Sequence, residues 1–195
     1  MKLKTAFLLF MVLTIITGFI YPWVITGFAT VFFRDLANGS LILTENRVIG
    51  SKWIGQSFTD AGYFWGRPSA TTPYPYNALA STGSNLGPTN PALLEAVRAN
   101  ILPYQKSDPK NRSPIPLELI SASASGLDPH ISPEAAKYQI SRIAKARKIP
   151  EDVLYQLIDL KTEKKQFFIL GEPRVNVLLL NLELDNRSVN SGKKT

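Results

Sequence analysis

Between Lys4 and Arg34 the chain carries no charged side chain. That run, Thr5 to Phe33, is 29 residues long, and at a helical rise of ~1.5 Å per residue it exceeds what a ~30 Å hydrocarbon core requires. A secretory signal has an apolar region of about 7–15 residues and a small-x-small cleavage site, and Gly27-Phe28-Ala29 is a poor one. The run therefore predicts one retained transmembrane helix. Lys2 and Lys4 precede it without an acidic residue, which favours a cytoplasmic N-terminus. Arg34, on the far side, is followed at once by Asp35. The 162 residues after Phe33 are expected outside the cytoplasmic membrane.

Within the run, Thr14, Gly18, Pro22, Thr26 and Thr30 recur every four residues. A ridge of small and hydroxyl-bearing side chains lets another membrane helix approach closely. Equally, Thr and Gly are tolerated in any membrane span. Tyr21 and Trp23 have the character of interfacial belt aromatics.

The expected division is an anchor over 1–33, one extracytoplasmic domain over 34–185 and a disordered polar tail over 186–195. A domain of that size buries a substantial core without staples. Cysteine is absent, which excludes disulfides, thiol catalysis and cysteine-based metal sites. The net charge of +7 invites anionic partners without deciding among them.

Leu41–Leu43 and Val48-Ile49 flank a polar segment, Thr44–Arg47, and predict a hairpin after an Asn38-Gly39 turn. Trp53 to Phe58 continues in β style. Gly66 to Pro91 differs in kind: 18 of its 26 residues are Gly, Pro, Ser, Thr or Asn, and Arg67 is its one charge. Yet it carries Tyr74, Tyr76 and Leu79 and follows Tyr63-Phe64-Trp65, too aromatic for a disordered linker. It reads as an ordered recognition loop, or as a packed loop whose tyrosines cover the core. Asn90-Pro91 caps a helix with Leu94, Val97 and Ile101 on its apolar face. Leu117 to Ile120 predicts a short strand. Ser132-Pro133 opens a helix to about Lys148, and a second follows the Ile149-Pro150 break. Phe167 to Leu170 predicts a strand, and Val175 to Asp185 a final one, with Leu180, Leu182 and Leu184 alternating against Asn181, Glu183 and Asp185. Strands and helices mix without a βαβ rhythm, so the class is α+β.

The chemistry is sparse. His130 is the sole histidine, so a histidine-rich metal site is impossible. Asp128, Ser125 and Ser132 cluster too locally around it for triad geometry, and no G-x-S-x-G elbow exists. His130 reads as a loop residue capping the next helix. Gly83-Ser84-Asn85-Leu86-Gly87 lacks the Lys-Ser/Thr ending of a phosphate loop. Ser121 to Asp128 is a small-residue loop expected just before a helix N-terminus, either offering backbone N–H groups to an anion or forming a tight turn in which its serines satisfy local backbone groups. Arg142, Lys145, Arg147 and Lys148 form a basic patch on paired helices. Outside the membrane such a patch has no nucleic acid to bind, and a solvated basic face accounts for it. Asp159-Leu160-Lys161-Thr162 is a near miss to the phosphorylation motif of P-type ATPases.

Many ordered strings resemble the C subunit of the Kdp-type potassium-transporting ATPase. They are Gly39–Ile42, Ile54-Gly55-Gln56-x-Phe58, Tyr63-Phe64-x-Gly66-Arg67-Pro68-Ser69-Ala70, Tyr76-Asn77, Ala80-Ser81-x-Gly83-Ser84-Asn85-Leu86 and Ser121–Asp128. Gln139, Arg142, Ala144-x-Ala146-Arg147, Val175–Val177 and Leu180–Leu182 follow. Thr82 departs from the family's usual glycine, and a requirement for φ > 0 there would force a different turn.

The resemblance implies a non-catalytic accessory subunit of a potassium-uptake pump, assembled with a hydrolysing P-type subunit and a channel-like potassium-binding subunit. In the family this subunit is described as a catalytic chaperone that raises ATP affinity. Ser123, Ser125, Gly126, Asp128 and Gln139 then resemble a signature sequence contacting ATP in a shared complex, with no cofactor of the chain's own. The expected topology places those residues away from cytoplasmic ATP, so the effect is read as conformational coupling. The expected partner contacts are Thr14, Gly18, Tyr63, Phe64, Arg67, Tyr76, Asn77 and Asn85. The competing expectation is a periplasmic glycan-binding module stacking sugars on Tyr63, Phe64, Trp65, Tyr74 and Tyr76.

Overall fold

The computed structural model describes residues 2–44 and 47–192, with side chains through Arg187. It falls into two compact units that divide between Ile49 and Gly50.

In the first unit, α1 (Lys2–Ile15), a π-helical turn (Ile16–Ile20) and α2 (Tyr21–Phe32) make one continuous 31-residue helix. None of its residues is buried, and such a length of bare apolar surface suits a bilayer. The π turn has a local cause. Pro22 lacks an N–H, and its ring crowds the carbonyl four residues back, so the turn before it widens. In an α-helix the every-fourth-residue ridge would drift by about 160° from Thr14 to Thr30. The extra residue of the π turn takes back about 100° of this, returning Thr30 to within about 60° of Thr14. Thr30 Oγ1 donates to Thr26 O at 2.9 Å, satisfying that hydroxyl inside the helix. A short helix, α3 (Arg34–Ala37), follows. The Asn38-Gly39 turn then leads into β1 (Leu41–Thr44) and β2 (Arg47–Ser51), which form the expected two-stranded sheet, the last two residues of β2 falling past the division. Glu45 and Asn46 lie outside the described residues.

In the second unit, α4 (Pro91–Ser107), α5 (Pro133–Tyr138), α6 (Ile140–Arg147), α7 (Glu151–Lys161) and α8 (Val177–Gly192) surround a small sheet of β3 (His130–Ile131), β4 (Thr162–Glu163) and β5 (Arg174–Asn176). Its order is β3-β5-β4, antiparallel throughout, with Ile131 and Thr162 both opposite Val175. Helix and strand together bear out the α+β class. Phe64, Leu119, Ile131, Ile143, Leu154, Ile158, Val175 and Leu180 meet in one core. Asn90 caps α4 by accepting from Ala92 N at 3.0 Å.

The sequence misleads in several places. Val175 to Asp185 is a strand only through Asn176. Asn176 Oδ1 then accepts from Leu179 N at 3.1 Å, capping α8. Leu180 and Leu184 fit a two-residue and a 3.6-residue period equally, but the buried set Val177, Leu178, Leu180, Asn181, Leu184 is helical. The helix also continues through Gly192, where a disordered tail was expected; residues 193–195 lie outside the described residues. Trp53–Phe58 has no strand, and Leu117–Leu119 is a 3₁₀ turn. Phe167–Leu170 forms a tight turn rather than a strand. The helix expected over Pro133–Lys148 breaks at Gln139, whose side chain turns into the core. His130 lies in β3 and caps nothing; Ser132 Oγ caps α5, accepting from Ala135 N at 3.1 Å.

Candidate functional site

The segment Tyr63–Trp65 runs through the second unit without a strand partner, and two buried side-chain amides take the place of one. Asn181 of α8 accepts from Phe64 N at 2.9 Å and donates to Phe64 O at 3.0 Å. Gln139, between α5 and α6, accepts from Trp65 N at 2.8 Å and donates to Trp65 O at 3.0 Å. An amide offers one donor group beside one acceptor, as a backbone neighbour in a sheet does, so the N–H and C=O of both residues are satisfied without a strand. Gln139 also donates to Ala135 O at 3.2 Å and accepts from Arg142 Nη2 at 2.7 Å. With both amide hydrogens and both acceptor positions engaged, it has no hydrogen-bonding capacity left for a ligand.

The aromatic faces are covered by arginines. Arg142, 4% exposed, sets its guanidinium 3.8 Å from the Trp65 ring centroid and donates to Ala61 O at 2.5 Å. Burial pulls its pKa down to about 10. Arg147 lies 4.4 Å over Tyr63 and pairs with Asp185 at 2.7 Å, while Tyr63 donates to the same carboxylate at 3.0 Å. Lys145 pairs with Asp108 at 2.7 Å, and Lys148 takes the left-handed position that ends α6. The expected solvated basic face is therefore corrected: two of its four cations cap aromatic rings. The glycan platform loses its faces in the same way. Phe64 is fully buried, Tyr63 and Trp65 are covered, and of the five aromatics only Tyr74 stands exposed.

Beyond Trp65, the Gly66–Pro91 segment is ordered and lies on Ser121–Asp128 through backbone and hydroxyl contacts. Ser123 N donates to Pro68 O at 3.0 Å, Ser69 Oγ to Gly126 O at 2.7 Å and Ser81 Oγ to Ser125 O at 2.9 Å. Gly126, at φ +68°, sits where a Cβ would come within 2.5 Å of Thr82 O, so the contact requires glycine twice over. Thr82 itself keeps a negative φ, and the position needs no glycine. Asn77 is buried and donates to Thr72 O at 2.8 Å. Asn85, at φ +52°, is exposed.

The two segments also share charge. Arg67 Nη1 meets Asp128 Oδ2 at 3.2 Å, and Asp128 Oδ1 accepts from His130 N at 3.0 Å. Burial alone would raise the Asp128 carboxyl, but the hydrogen bonds from His130 and the charge of Arg67 outweigh it and hold it below the usual carboxylate range. Tyr76 donates to Arg67 O at 2.5 Å; burial, with Asp128 adding to it, pushes its phenol up to about 12. Ser123 is buried, its hydroxyl without a partner. The loop does not open directly onto a helix N-terminus as expected, because β3 intervenes before α5. Beside this junction is an open cleft of about 390 Å³, lined by Phe58, Trp65, Arg67, Tyr76, Asn100 and Tyr104. Among the described residues no group of His, Asp and Glu is arranged to hold a metal. Thr14 and Gly18 lie on the membrane-length helix, where a Cβ at Gly18 meets nothing within 4 Å.

The family model for "K+-transporting ATPase, c chain" matches residues 3–186. The chain belongs to the KdpC family. It is 58% identical over 177 residues to the potassium-transporting ATPase KdpC subunit of Polynucleobacter asymbioticus, covering 91% of this chain and 94% of that one. The corresponding subunit of Dechloromonas aromatica is 54% identical over 95% of this chain and 97% of its own length. A KdpC chain is an accessory subunit of the ATPase complex rather than its catalytic one. Its single apolar N-terminal helix fits a single-pass inner-membrane protein.

Of this site, sequence reasoning found the Gly66–Pro91 loop, the Ser121–Asp128 loop and Gln139. It missed Asn181 and the stacking role of Arg142 and Arg147. A polar amide on the apolar face of a helix was the available signal for Asn181, concealed by the assignment of that stretch to a strand.

Proposed function

We propose that this chain anchors beside the other subunits of a potassium-uptake ATPase with its N-terminus in the cytoplasm and its folded unit in the periplasm. There it stabilises the complex and raises the ATP affinity of the hydrolysing subunit without touching nucleotide. The observation that carries the reading is the internal use of the residues that resemble a nucleotide signature. Gln139 makes four intramolecular hydrogen bonds, Gly126 is packed under Thr82, and Asp128 is engaged by Arg67 and His130. Such residues shape the Gly66–Pro91 loop, and a loop held in one conformation is a docking surface. Coupling to a distant ATP site then requires only that docking favour one conformational state of the pump. The membrane contribution comes from the Thr14–Gly18 side of the anchor, where small residues permit close helix approach. Tyr63, Phe64 and Asn77 act from beneath, as supports, while Arg67, Tyr76 and Asn85 border the docking face.

Photolabelling of the purified complex with azido-ATP tests this. Label is expected on the hydrolysing subunit alone, together with a raised KM for ATP when this chain is left out. Label on this chain, competed away by ATP, overturns the proposal. Digestion of the folded unit by protease added to intact spheroplasts is the expected topology result, and protection there reverses the orientation.

A further inference from the structure

The apolar turn between β4 and β5 is exposed in a way nothing in the fold explains. Phe167, Phe168, Ile169 and Leu170 are 82%, 92%, 80% and 57% exposed. Outside the membrane-length helix no other run of four consecutive large apolar residues is so bare among the described residues. The turn is nevertheless fixed. Gln166 N donates to Leu170 O at 2.8 Å and Leu170 N returns a bond to Gln166 O at 2.9 Å. Between them Phe167 and Phe168 both take left-handed backbone, at φ +51° and +64°. Aromatic residues seldom adopt that region, and a turn required only for connection would carry glycine or asparagine there. Bulky rings held outward by closed hydrogen bonds make a knob of defined shape.

The charges at its base indicate what the knob fits. Lys165 pairs with Glu172 at 3.0 Å and Arg174 with Glu163 at 3.0 Å. An anionic lipid surface recruits apolar tips through a collar of free cations; here Lys165 and Arg174 are each paired with a carboxylate, and of the three cations at residues 164–174 only Lys164 is left without an ion pair among the described residues. A lipid surface also has no use for a fixed ring geometry, whereas a pocket does. Resting on the accessory-subunit reading above, we infer that the Phe167–Leu170 turn is a docking knob whose two phenyl rings enter an uncharged apolar pocket on another subunit of the same ATPase.

Because the chain has no cysteine, a Phe168→Cys variant places one thiol at the tip, read on this chain's band after labelling with a water-soluble maleimide. The reaction is followed in the assembled complex, in the chain alone in detergent, and in the chain alone in vesicles of neutral and of anionic lipid. The expected result is at least tenfold slower labelling in the complex and full reactivity in every preparation of the chain alone. Loss of assembly with Phe168→Cys but not with Phe168→Tyr also supports the knob. Unchanged labelling in a complex that co-purifies intact overturns it. Protection in vesicles without the other subunits overturns it in favour of a lipid contact. If the wild-type chain does not co-purify with the other subunits at all, the accessory-subunit reading falls first and takes the knob with it.

Discussion

Replacing Gln139 with methionine separates a structural role from a nucleotide contact. The two side chains have similar length and volume, so the change removes hydrogen bonds and little packing. Gln139 is 1% exposed, and the variant leaves the part-buried Trp65 N and Trp65 O without their side-chain partner, while Arg142 loses one acceptor and keeps Ala61 O. A buried polar group stripped of its partner costs about 1–3 kcal/mol. Two such groups, partly relieved by relaxation, give a loss of about 2–4 kcal/mol. For chains of 150–250 residues each kcal/mol moves Tm by about 2–4 °C, so the expected fall is roughly 4–16 °C. The assay is thermal unfolding of the full chain in mild detergent without nucleotide, followed by tryptophan fluorescence, since Trp65 sits against the altered side chain. A variant with wild-type Tm, but with a raised KM for ATP in the complex, would refute the reasoning and return Gln139 to nucleotide binding.

Other perturbations follow from the same geometry. The folded-state pKa of Asp128 is depressed, so its contribution to stability is complete above the ordinary carboxylate value near 3.8 and is lost as pH falls through the folded value. Asp128→Asn should flatten the acid limb of a Tm-versus-pH curve below pH ~4, and an unchanged acid limb would count against the pairing. Arg67→Ala removes the 3.2 Å pair with Asp128 from a partly exposed site; about 1 kcal/mol of stability should go, with lower complex yield and potassium-stimulated ATPase activity. Full yield and activity in a folded variant would exclude Arg67 from docking. Gly126→Ala forces an L-residue to φ +68° against Thr82 O; the left-handed cost alone is about 1–2 kcal/mol, so a Tm equal to wild type would show that the two loops are not packed as described. Gly18→Leu fills the open side of the membrane helix and should weaken co-purification, whereas unchanged recovery would mean that this side faces lipid.

What the sequence decided alone was whatever depends on local composition. The uncharged run fixed a membrane-length helix, Asn90-Pro91 fixed the start of α4, and the turn-rich, aromatic stretch from Gly66 fixed an ordered loop, because each follows from side chains within a few residues of one another. Tertiary structure decided the rest. Leu180, Leu182 and Leu184 satisfy a strand's period, and only the burial of Asn181 against Phe64, 117 positions away in sequence, makes that stretch a helix. Arg142 and Arg147 read as solvated charge until the fold lays them over Trp65 and Tyr63. Phe167–Leu170 has a strand's composition, but it lies where β4 must reverse into β5, and the reversal leaves those rings exposed. A period can be read along the chain, whereas a partner distant in sequence is supplied only when the chain has folded back on itself.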